Sequence, residues 1–346
     1  MPSLERIIRN TEEIVTQDEL KAILEGKEKP SAYIGFEPSG LVHVGWKIPL
    51  DKVRDLLNSG FRVTVLLADW HAYLNDKLGG DIQNIRVCAE YIKDCFLAFG
   101  VESKELEFVY ASDLLDSMDY WEKVLRISKK SSLSRIKRTL TIMGRKEDEA
   151  EMDASKLIYP AMQVADIFTL NVDVALGGMD QRKAHMLARD VSEKLGWKKV
   201  VAIHTPLLSG IQGGGRMDPI EAKMSKSSPE NSIFVHDSPK EIARKVKKAY
   251  CPEGQIADNP IIEICKFIIF NTIDQMTISR PEKFGGDLQI NSYAKLEEVF
   301  SSGKLHPEDL KNSTAQYLTE ILEPVREYFE KNPKNYERVR AFGVTR

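Results

Sequence analysis

Residues 39–46 have a composition suited to binding phosphate. The segment contains two glycines and His43, and it leads into a predicted helix. Unpaired backbone N–H groups and the helix dipole favour an anion at such a helix start. Gly45 allows a flat ligand such as adenine to lie against the backbone, and His43 can donate a hydrogen bond to phosphate oxygens. A purely structural histidine is the alternative, because one histidine beside a glycine is not specific.

A second segment, residues 223–227, reads Lys-Met-Ser-Lys-Ser and follows a glycine-rich stretch at 209–215 that is predicted to be a mobile connector. Two ammonium groups on a closing loop can neutralise a triphosphate while negative charge moves onto the leaving pyrophosphate. An exposed lysine is the alternative for Lys223 or Lys226 taken alone. The whole five-residue string, after a sheet-forming half and before a helical one, is poorly explained by chance.

Polar residues that could bind a small substrate recur along one predicted helix. Tyr159, Gln163 and Asp166 lie at positions i, i+4 and i+7, and therefore share one helix face. Such a face is often simply solvated. It becomes a binding surface only if Tyr33 and the glycine turn at 177–178 lie around it.

The elements that must position these residues follow an alternating pattern. Short apolar runs are separated by helical stretches, which predicts an α/β fold with a Rossmann-like, doubly wound parallel sheet. Its binding crevice is expected beyond the carboxyl ends of the strands. The predicted strands are residues 32–36, 63–68, 106–110, 172–175 and 200–204.

The length of 346 residues predicts two domains. The second is predicted to be all α-helical, with helices at 239–250, 260–270, 293–300 and 307–329, and with residues 331–346 weakly held. The predicted organisation is an N-terminal helical segment at 1–30, a catalytic domain at 31–215 with a helical insertion at about 112–158, a lysine loop at 216–236 and an α-helical domain at 237–346.

Composition excludes several classes of protein. The chain has 49 Lys and Arg against 52 Asp and Glu, a formal net charge of −3, so any nucleic-acid contact must come from local patches. A cytoplasmic protein without a membrane span is expected, because no long apolar run and no secretory signal occur. The cysteines do not have the spacing of zinc ligands, so buried thiols and no metal site are expected at Cys88, Cys95, Cys251 and Cys265.

One local patch is strongly basic. Residues 126–146 hold eight Lys or Arg and no acid, and residues 147–153 then hold five acids. A solvated helix face and a contact with a phosphate backbone both explain this pattern.

The two phosphate-binding segments resemble the HIGH and KMSKS elements of class I aminoacyl-tRNA synthetases. The surrounding chain, over roughly residues 31–330, resembles the archaeal and eukaryotic tyrosyl-tRNA synthetases. Trp46 departs from the HIGH pattern, whose fourth position is histidine, although the family tolerates substitution there. More of the charge stabilisation then falls on His43, Lys223, Lys226 and the helix N-terminus. The matching blocks, in the expected order, are residues 33–40, 67–74, 159–166, 177–183 and 280–287.

This resemblance implies an activity and its partners. L-tyrosine and ATP, with Mg2+, would form tyrosyl-adenylate and pyrophosphate, and the tyrosyl group would pass to the terminal adenosine of tRNA(Tyr). The insertion is the usual dimer interface of the family, so a homodimer is expected.

The resemblance also implies site residues. His43, Lys223 and Lys226 would be catalytic. Tyr33 and Asp166 would bind the substrate phenol, and Tyr159, Gln163 and Gln181 its α-amino end. His71, after the second predicted strand, is expected either to form part of the pocket wall or to orient a neighbouring residue. ATP contacts would come from Gly35, Glu37, Ser39, His43, Gly45, Lys223, Met224, Ser225, Lys226 and Ser227. The tRNA contacts would be Arg138 and Arg182 at the acceptor end and Phe284, His306 and Asp309 at the anticodon.

Two other functions fit parts of the sequence. A tryptophanyl enzyme shares the fold and the ATP elements, but Tyr33 with Asp166 favours a phenol over an indole. The second alternative is a catalytically silent relative that only binds RNA or a partner. Only the substitution at Trp46 in the HIGH element supports it. Without the resemblance, His306 and Asp309 would be read as a helix start.

Overall fold

A computed structural model describes residues 2–144, 153–213 and 223–342. The chain divides into two compact units. The first comprises Met1–Gly40, Pro49–Pro206 and Lys334–Arg346, and the second comprises Leu41–Ile48 and Leu207–Pro333. The His43 segment therefore belongs to the same unit as the lysine segment, while the boundaries predicted at residues 30, 215 and 236 stay predictions.

The first unit is built on a six-stranded sheet. Five strands are parallel and one edge strand is antiparallel, in the order β1-β6-β5-β2-β3-β4, which confirms the predicted doubly wound sheet. The strand order reverses between β2 and β5, the position at which such sheets bind ligands. The strands are β1 Glu13–Val15, β2 Ser31–Phe36, β3 Arg62–Leu67, β4 Leu106–Tyr110, β5 Val174–Gly178 and β6 Val201–Thr205.

The central strands are apolar on both faces because helices cover both sides of the sheet. In β2, Ile34 lies opposite Val65 of β3, and both are buried. Strand β5 begins at Val174, two residues later than predicted. The carboxylate of the preceding residue, Asp173, accepts hydrogen bonds from the backbone N–H and hydroxyl of Ser31, 2.9 and 3.0 Å away. Asp173 therefore anchors the start of the strand.

Helices account for most of the rest of the first unit. The insertion predicted at 112–158 is helical where it is described, although Arg145, Lys146 and the acids at 147–151 lie outside the described residues. The helices are α1 Pro2–Ile8, α2 Gln17–Gly26, α3 Lys47–Leu57, α4 Asp69–Leu74, α5 Ile82–Ala98, α6 Ala111–Leu115, α7 Met118–Lys130, α8 Leu133–Thr139, α9 Tyr159–Thr169 and α10 Arg182–Leu195.

Both ends of the chain differ from the sequence-based expectation. The segment predicted to be helical at residues 1–30 also contributes β1, which pairs antiparallel with β6. At the other end, residues 331–346 were expected to be weakly held, and this is wrong as far as residue 341. A helix occupies Pro333–Ala341, Val339 is buried, and Asn335 donates a hydrogen bond of 2.9 Å to Asp94.

The second unit is mainly helical, as predicted, but it also contains a two-stranded antiparallel sheet that the sequence did not reveal. Its strands are only three residues long, too short for a period of two to be recognised. The elements are α11 Pro239–Lys248, α12 Pro260–Ile264 with a π-helical turn Cys265–Ile269, β7 Met276–Ile278, β8 Leu288–Ile290, α13 Tyr293–Ser301 and α14 Pro307–Lys331. The last helix, α15 Pro333–Ala341, belongs to the first unit from Lys334 onward.

The described part of the glycine-rich connector, residues 209–213, is packed. A Cβ on Gly210 would lie 2.2 Å from the Asn231 side chain, and one on Gly213, where φ is +65°, would lie 2.5 Å from the Tyr250 ring. These glycines permit close approach, so the expected mobility does not apply to this part, whereas residues 214 and 215 lie outside the described residues.

Other predictions concern the cysteines and membrane spans. All four cysteines are buried free thiols, as expected. Across residues 2–144, 153–213 and 223–342, no helix is long and apolar enough to cross a membrane.

Candidate active site

The Asp166 carboxylate lies at the centre of a buried cluster of polar side chains in the first unit, the candidate Asp166 pocket. Asp166 is only 1% exposed, on α9. Its Oδ1 accepts a hydrogen bond of 2.9 Å from the Tyr120 hydroxyl, and its Oδ2 lies 3.0 Å from Nε2 of His71. Tyr120 comes from α7 and His71 from α4, so three helices fix the carboxylate.

Burial and charge determine the protonation of the groups around Asp166. Burial alone would lower the pKa of His71, but the neighbouring carboxylate of Asp166 outweighs burial and the pKa is raised. Burial, followed by the charge of Asp166, raises the pKa of both Tyr33 and Tyr120. Their hydroxyls therefore stay protonated at neutral pH, and the Tyr120 hydroxyl is a neutral donor to the carboxylate.

A second carboxylate, that of Glu37, lies just after β2. Its Oε1 accepts a hydrogen bond of 2.6 Å from the Tyr159 hydroxyl. Asn75 donates to both Glu37 oxygens, at 3.0 and 3.1 Å, and also to the carbonyl of Met143 at 3.0 Å. Burial, followed by the charge of Glu37, raises the pKa of Tyr159. The predicted ATP residue Glu37 is thus tied to the predicted tyrosine-binding residue Tyr159.

The two predicted amide residues are also brought together. Gln163 donates a hydrogen bond of 3.0 Å to Gln181, whose own amide donates to the carbonyl of Ile142 at 3.2 Å. Within the described residues, the buried Oε1 of Gln163 accepts no hydrogen bond. A buried acceptor without a partner costs free energy, so this oxygen can receive a donor from a ligand, such as an ammonium group.

Gly177 allows the turn after β5 to fold back closely. A Cβ there would lie 3.0 Å from the Gln181 side chain and 3.1 Å from the ring of His185. The absence of a side chain at Gly177 therefore allows Gln181 to approach closely, at the end of the strand where the sheet order reverses.

His43 lies in the second unit, immediately before a 3-10 turn, Val44–Trp46. The backbone is held by hydrogen bonds from Val44 N–H to the Ile233 carbonyl at 2.8 Å and from Val235 N–H to the Val42 carbonyl at 3.1 Å. A Cβ on Gly45 would lie 3.0 Å from the His43 ring, so glycine is needed beside the imidazole.

The imidazole of His43 is neutral. Burial, followed by the charges of Lys226 and Lys223, lowers the pKa of His43 to about 3. Its Nδ1 is buried and has no hydrogen-bond partner within the described part of the chain. At physiological pH this ring can donate one hydrogen bond to a phosphate oxygen, but it adds no charge, which must come from the lysines.

The lysine segment is held by its backbone. Lys223 pairs with Ser209, and Met224, which is buried, donates a backbone hydrogen bond of 2.8 Å to the Leu208 carbonyl. Ser225 is held through Ser232, whose hydroxyl accepts from its N–H at 3.2 Å and donates to its carbonyl at 2.6 Å.

Side chains then join the two motif segments and order the end of the lysine segment. Lys226 Nζ lies 4.7 Å from the centroid of the Trp46 ring. The hydroxyls of Ser225 and Ser227 lie 3.0 Å apart.

Of the two residues predicted to contact the acceptor end of tRNA, one is exposed and the other forms an ion pair within the fold. Arg138 is exposed on α8. Arg182 forms a bidentate ion pair with Glu13 of β1, at 2.7 and 2.9 Å. Glu13 also lies 2.9 Å from His204 through the same carboxylate, so Arg182 is held within the fold.

The predicted anticodon residues lie in the second unit. His306 caps α14, because its Nδ1 accepts a hydrogen bond of 3.1 Å from the Glu308 N–H, as the helix-start interpretation expects. Asp309 lies in the first turn of that helix. Phe284 ends a 3-10 turn, Glu282–Phe284, and its side chain lies outside the described part of the structure.

Two residues of the pocket were missed in the sequence. Tyr120 shares the buried face of α7 with Val124 and Ile127, so its spacing resembles that of an ordinary core residue. A hydroxyl on an otherwise apolar face was the available signal. Asn75, which holds Glu37, ends α4 and carried no signal.

The chain is similar in sequence to one protein family and to named members of it. Residues 25–323 match the family described as tRNA synthetases class I (W and Y). The chain is 53% identical to the tyrosine–tRNA ligase of Saccharolobus solfataricus, over 99% of this chain and 97% of that relative.

Solved structures are similar over nearly the whole chain. The tyrosyl-tRNA synthetase of Aeropyrum pernix has a TM-score of 0.89 and 47% identity, and 99% of each chain is covered. The enzyme of Pyrococcus horikoshii, solved in complex with L-tyrosine, has a TM-score of 0.90 and 42% identity, and 98% of each chain is covered.

Proposed function

Because this chain belongs to the family of class I tRNA synthetases that comprises the tryptophan and tyrosine enzymes, we propose that it is a tyrosine–tRNA ligase. It activates L-tyrosine with ATP and transfers the tyrosyl group to the 3′-terminal adenosine of tRNA(Tyr). The relatives named above carry this activity in their names, at 53% identity over 99% of the chain for the Saccharolobus protein.

The buried Asp166 carboxylate is the observation that carries this proposal. It lies between the Tyr120 hydroxyl and His71, and the buried hydroxyl of Tyr33 is close enough for the charge of Asp166 to raise its pKa. A carboxylate has about four lone-pair sites, so it can accept from a substrate phenol besides its two present neighbours. Phenylalanine would leave these groups without a substrate partner, which penalises its binding.

The other end of the substrate is assigned to the amide and hydroxyl groups of the same unit. The unpartnered Oε1 of Gln163 supports binding of the α-ammonium group. Gln181, which accepts a hydrogen bond from Gln163, and Tyr159 are assigned to the same end of the substrate. His71 holds the Asp166 carboxylate and so forms part of the pocket wall.

Activation then needs positioning and electrostatics. The substrate carboxylate is itself a nucleophile and attacks the α-phosphorus of ATP, so no general base is required for this step. His43 donates a hydrogen bond to phosphate, and Lys223 and Lys226 stabilise the charge that moves onto pyrophosphate. Magnesium is proposed to enter with ATP as part of the substrate.

The remaining ATP contacts are assigned within each unit. Gly35, Glu37 and Ser39 are assigned in the first unit. In the second unit they are His43, Gly45, Lys223, Met224, Ser225, Lys226 and Ser227.

Binding of tRNA is assigned to surfaces of both units. On the insertion, Lys129, Lys130, Lys137 and Arg138 are exposed, which supports contact with phosphates. Arg182 is assigned to the acceptor end, and Phe284, His306 and Asp309 to the anticodon. Stacking on an aromatic ring and acceptance from a base edge are common means of reading single-stranded RNA.

A homodimer is proposed through the insertion. Large apolar side chains are exposed on α7 and α8, with 83% of Met118, 69% of Leu125 and 60% of Leu133 accessible. Exposed apolar side chains on these two helices support burial against a second copy. Sedimentation at micromolar concentration tests this arrangement, and a monomer would contradict it.

Pyrophosphate exchange tests the whole assignment. The protein is incubated with Mg-ATP, labelled pyrophosphate and tyrosine, phenylalanine or tryptophan in turn. Exchange with tyrosine alone is expected. Exchange driven by tryptophan and not by tyrosine would contradict the assigned substrate, and no exchange with any amino acid would favour a silent binding protein.

A further inference from the structure

We propose that Trp46 is a positioning residue for the activation step, because its indole face binds the Lys226 ammonium group and holds this cation ready for the phosphates of ATP. The inference rests on the proposed function. It concerns the position at which the sequence departs from the HIGH pattern, where tryptophan stands in place of histidine.

The geometry is that of a cation–π contact. Lys226 Nζ lies 4.7 Å from the Trp46 ring centroid. Contacts of this type extend to about 6 Å, and tryptophan provides the strongest aromatic partner for a cation. Both residues belong to the second unit, where Trp46 ends the 3-10 turn that follows His43.

A separate property of the site places the Lys226 charge near the same turn. Lys226 is the largest charge contribution that lowers the pKa of His43, after burial. The ammonium therefore acts on both ends of the His43–Trp46 segment. A protonated histidine at position 46 would repel this ammonium, whereas the indole face attracts it.

The indole thus replaces a possible hydrogen bond to phosphate by a contact that positions Lys226. Histidine at position 46 could donate a hydrogen bond to phosphate, and the face of an indole ring cannot. The indole instead restricts a long, flexible lysine before the substrate arrives. Less side-chain entropy is then lost when Lys226 meets the negative charge that develops in the transition state.

The backbone of the lysine segment does not depend on Trp46 for its fold. Met224 is bound to Leu208, and Ser225 is bound to Ser232 on both its N–H and its carbonyl. Substitution of Trp46 is therefore expected to leave the segment folded. Thermal unfolding of each variant without substrate checks this expectation.

A double-mutant cycle tests the contact. Trp46→Leu, Lys226→Met and the double variant are compared in tyrosine-dependent pyrophosphate exchange. Trp46→Leu is expected to lower kcat about 5- to 30-fold, the range for a partly desolvated cation–π contact. In the Lys226→Met background the same change is expected to cost less than about 2-fold, because the cation is already absent.

Two further measurements distinguish positioning from simple packing. Trp46→Phe keeps an aromatic face and is expected to recover most of the kcat lost in Trp46→Leu. The KM for tyrosine and the transfer of tyrosyl from preformed adenylate to tRNA are expected to stay within about 2-fold, since the cation serves the pyrophosphate. The matched control is Tyr293→Leu, which removes one of the two aromatic rings that contact Lys266, at 5.2 Å, and leaves that of Phe267 at 5.1 Å; it should leave exchange unchanged.

The outcomes separate the two proposals. Equal losses from Trp46→Leu in both backgrounds, or equal losses in the Leu and Phe variants, overturn the role of Trp46 while tyrosine-dependent exchange by the unmodified protein still supports the function. Absence of exchange by the unmodified protein overturns the proposed function itself.

Discussion

The Asp166 pocket of the first unit and the lysine segment of the second unit hold their charged groups in opposite ways. In the pocket, a carboxylate that is 1% exposed is fixed by side chains from other helices. In the lysine segment, the backbone is fixed by Leu208 and Ser232, while the long side chain of Lys226 rests on an aromatic ring.

This difference indicates a division of labour. Fixed, buried hydrogen-bonding groups reject a substrate that lacks a matching group, because these groups would then be left buried without a hydrogen-bond partner. Cations on flexible side chains act on charge that develops during the reaction. Variants in the pocket should therefore change selectivity, and variants in the lysine segment should change rate.

The largest effect is expected from Lys226→Met. Loss of one preorganised charge at the pyrophosphate should lower kcat for tyrosine activation on the order of 100- to 1,000-fold. The ratio of kcat/KM for tyrosine and phenylalanine should not change. Pyrophosphate exchange with both amino acids measures this, and Lys240→Met, an exposed lysine of the same unit, is the control. If the preference for tyrosine over phenylalanine changed as much as kcat, the proposed division between a selectivity site and a rate-determining lysine segment would be contradicted.

The second prediction concerns Asp166→Asn. The amide keeps the shape of the carboxylate but not its charge, so Tyr120, His71 and a substrate phenol no longer share a strong acceptor. We expect the preference for tyrosine over phenylalanine to fall about 10- to 100-fold, and to fall by more than overall activation. The preference follows from kcat/KM for each amino acid.

Asp173→Asn is the matched control for this prediction, because Asp173 is also buried and hydrogen-bonded but lies at the start of β5. Burial alone would raise the pKa of Asp173, but hydrogen bonds from Lys198 and Lys27 outweigh burial and lower the pKa to about 2. Its substitution should therefore lower the free energy of unfolding and leave selectivity intact. Unchanged selectivity in Asp166→Asn would remove Asp166 from phenol recognition.

A smaller effect is expected from Tyr120→Phe. This change removes one neutral donor to Asp166, and the remaining neighbour, His71, still holds the carboxylate. Selectivity for tyrosine over phenylalanine should fall about 3- to 10-fold, as expected for one hydrogen bond. Tyr110→Phe is the control, since it removes a tyrosine hydroxyl bound to another carboxylate, that of Glu90, outside the pocket. Equal effects from both changes would mean that Tyr120 acts only through stability.

Tyr120 also shows where prediction from sequence ends. Strands β2, β3, β5 and β6 could be predicted because each is a mostly buried apolar run. Strand β4 is only partly buried, but it was predicted with its observed bounds, Leu106–Tyr110. The motif residues could be predicted because glycines, lysines and a histidine seldom occur at this spacing by chance. A tyrosine on an apolar helix face usually serves packing, and only the distance from Tyr120 to Asp166 identifies a second role.

Other features depended on contacts between distant segments. Strand β1 has three residues and forms by pairing with β6, almost 200 positions later in the chain. Glu13 in that strand holds both Arg182 and His204, a contact that no local pattern could indicate. Lys226, the cation that contacts Trp46, likewise lies in the other motif. From the sequence alone, Trp46 therefore indicated only the loss of a histidine from the HIGH element.

The smallest effect is expected from Arg138→Ala, which extends the comparison to a surface that recognises neither tyrosine nor ATP. Arg138 is exposed on α8, so its removal should leave the fold and the activation of tyrosine unchanged. The KM for tRNA should rise about 3- to 10-fold, and the slope of log affinity against log salt should become shallower by about one unit. Arg126→Ala is the control, because that arginine is already paired with Glu122, at 2.5 Å, and offers less charge to RNA. A loss confined to tyrosine activation would assign this basic surface to the structure of the insertion, since an RNA contact acts only after the adenylate has formed.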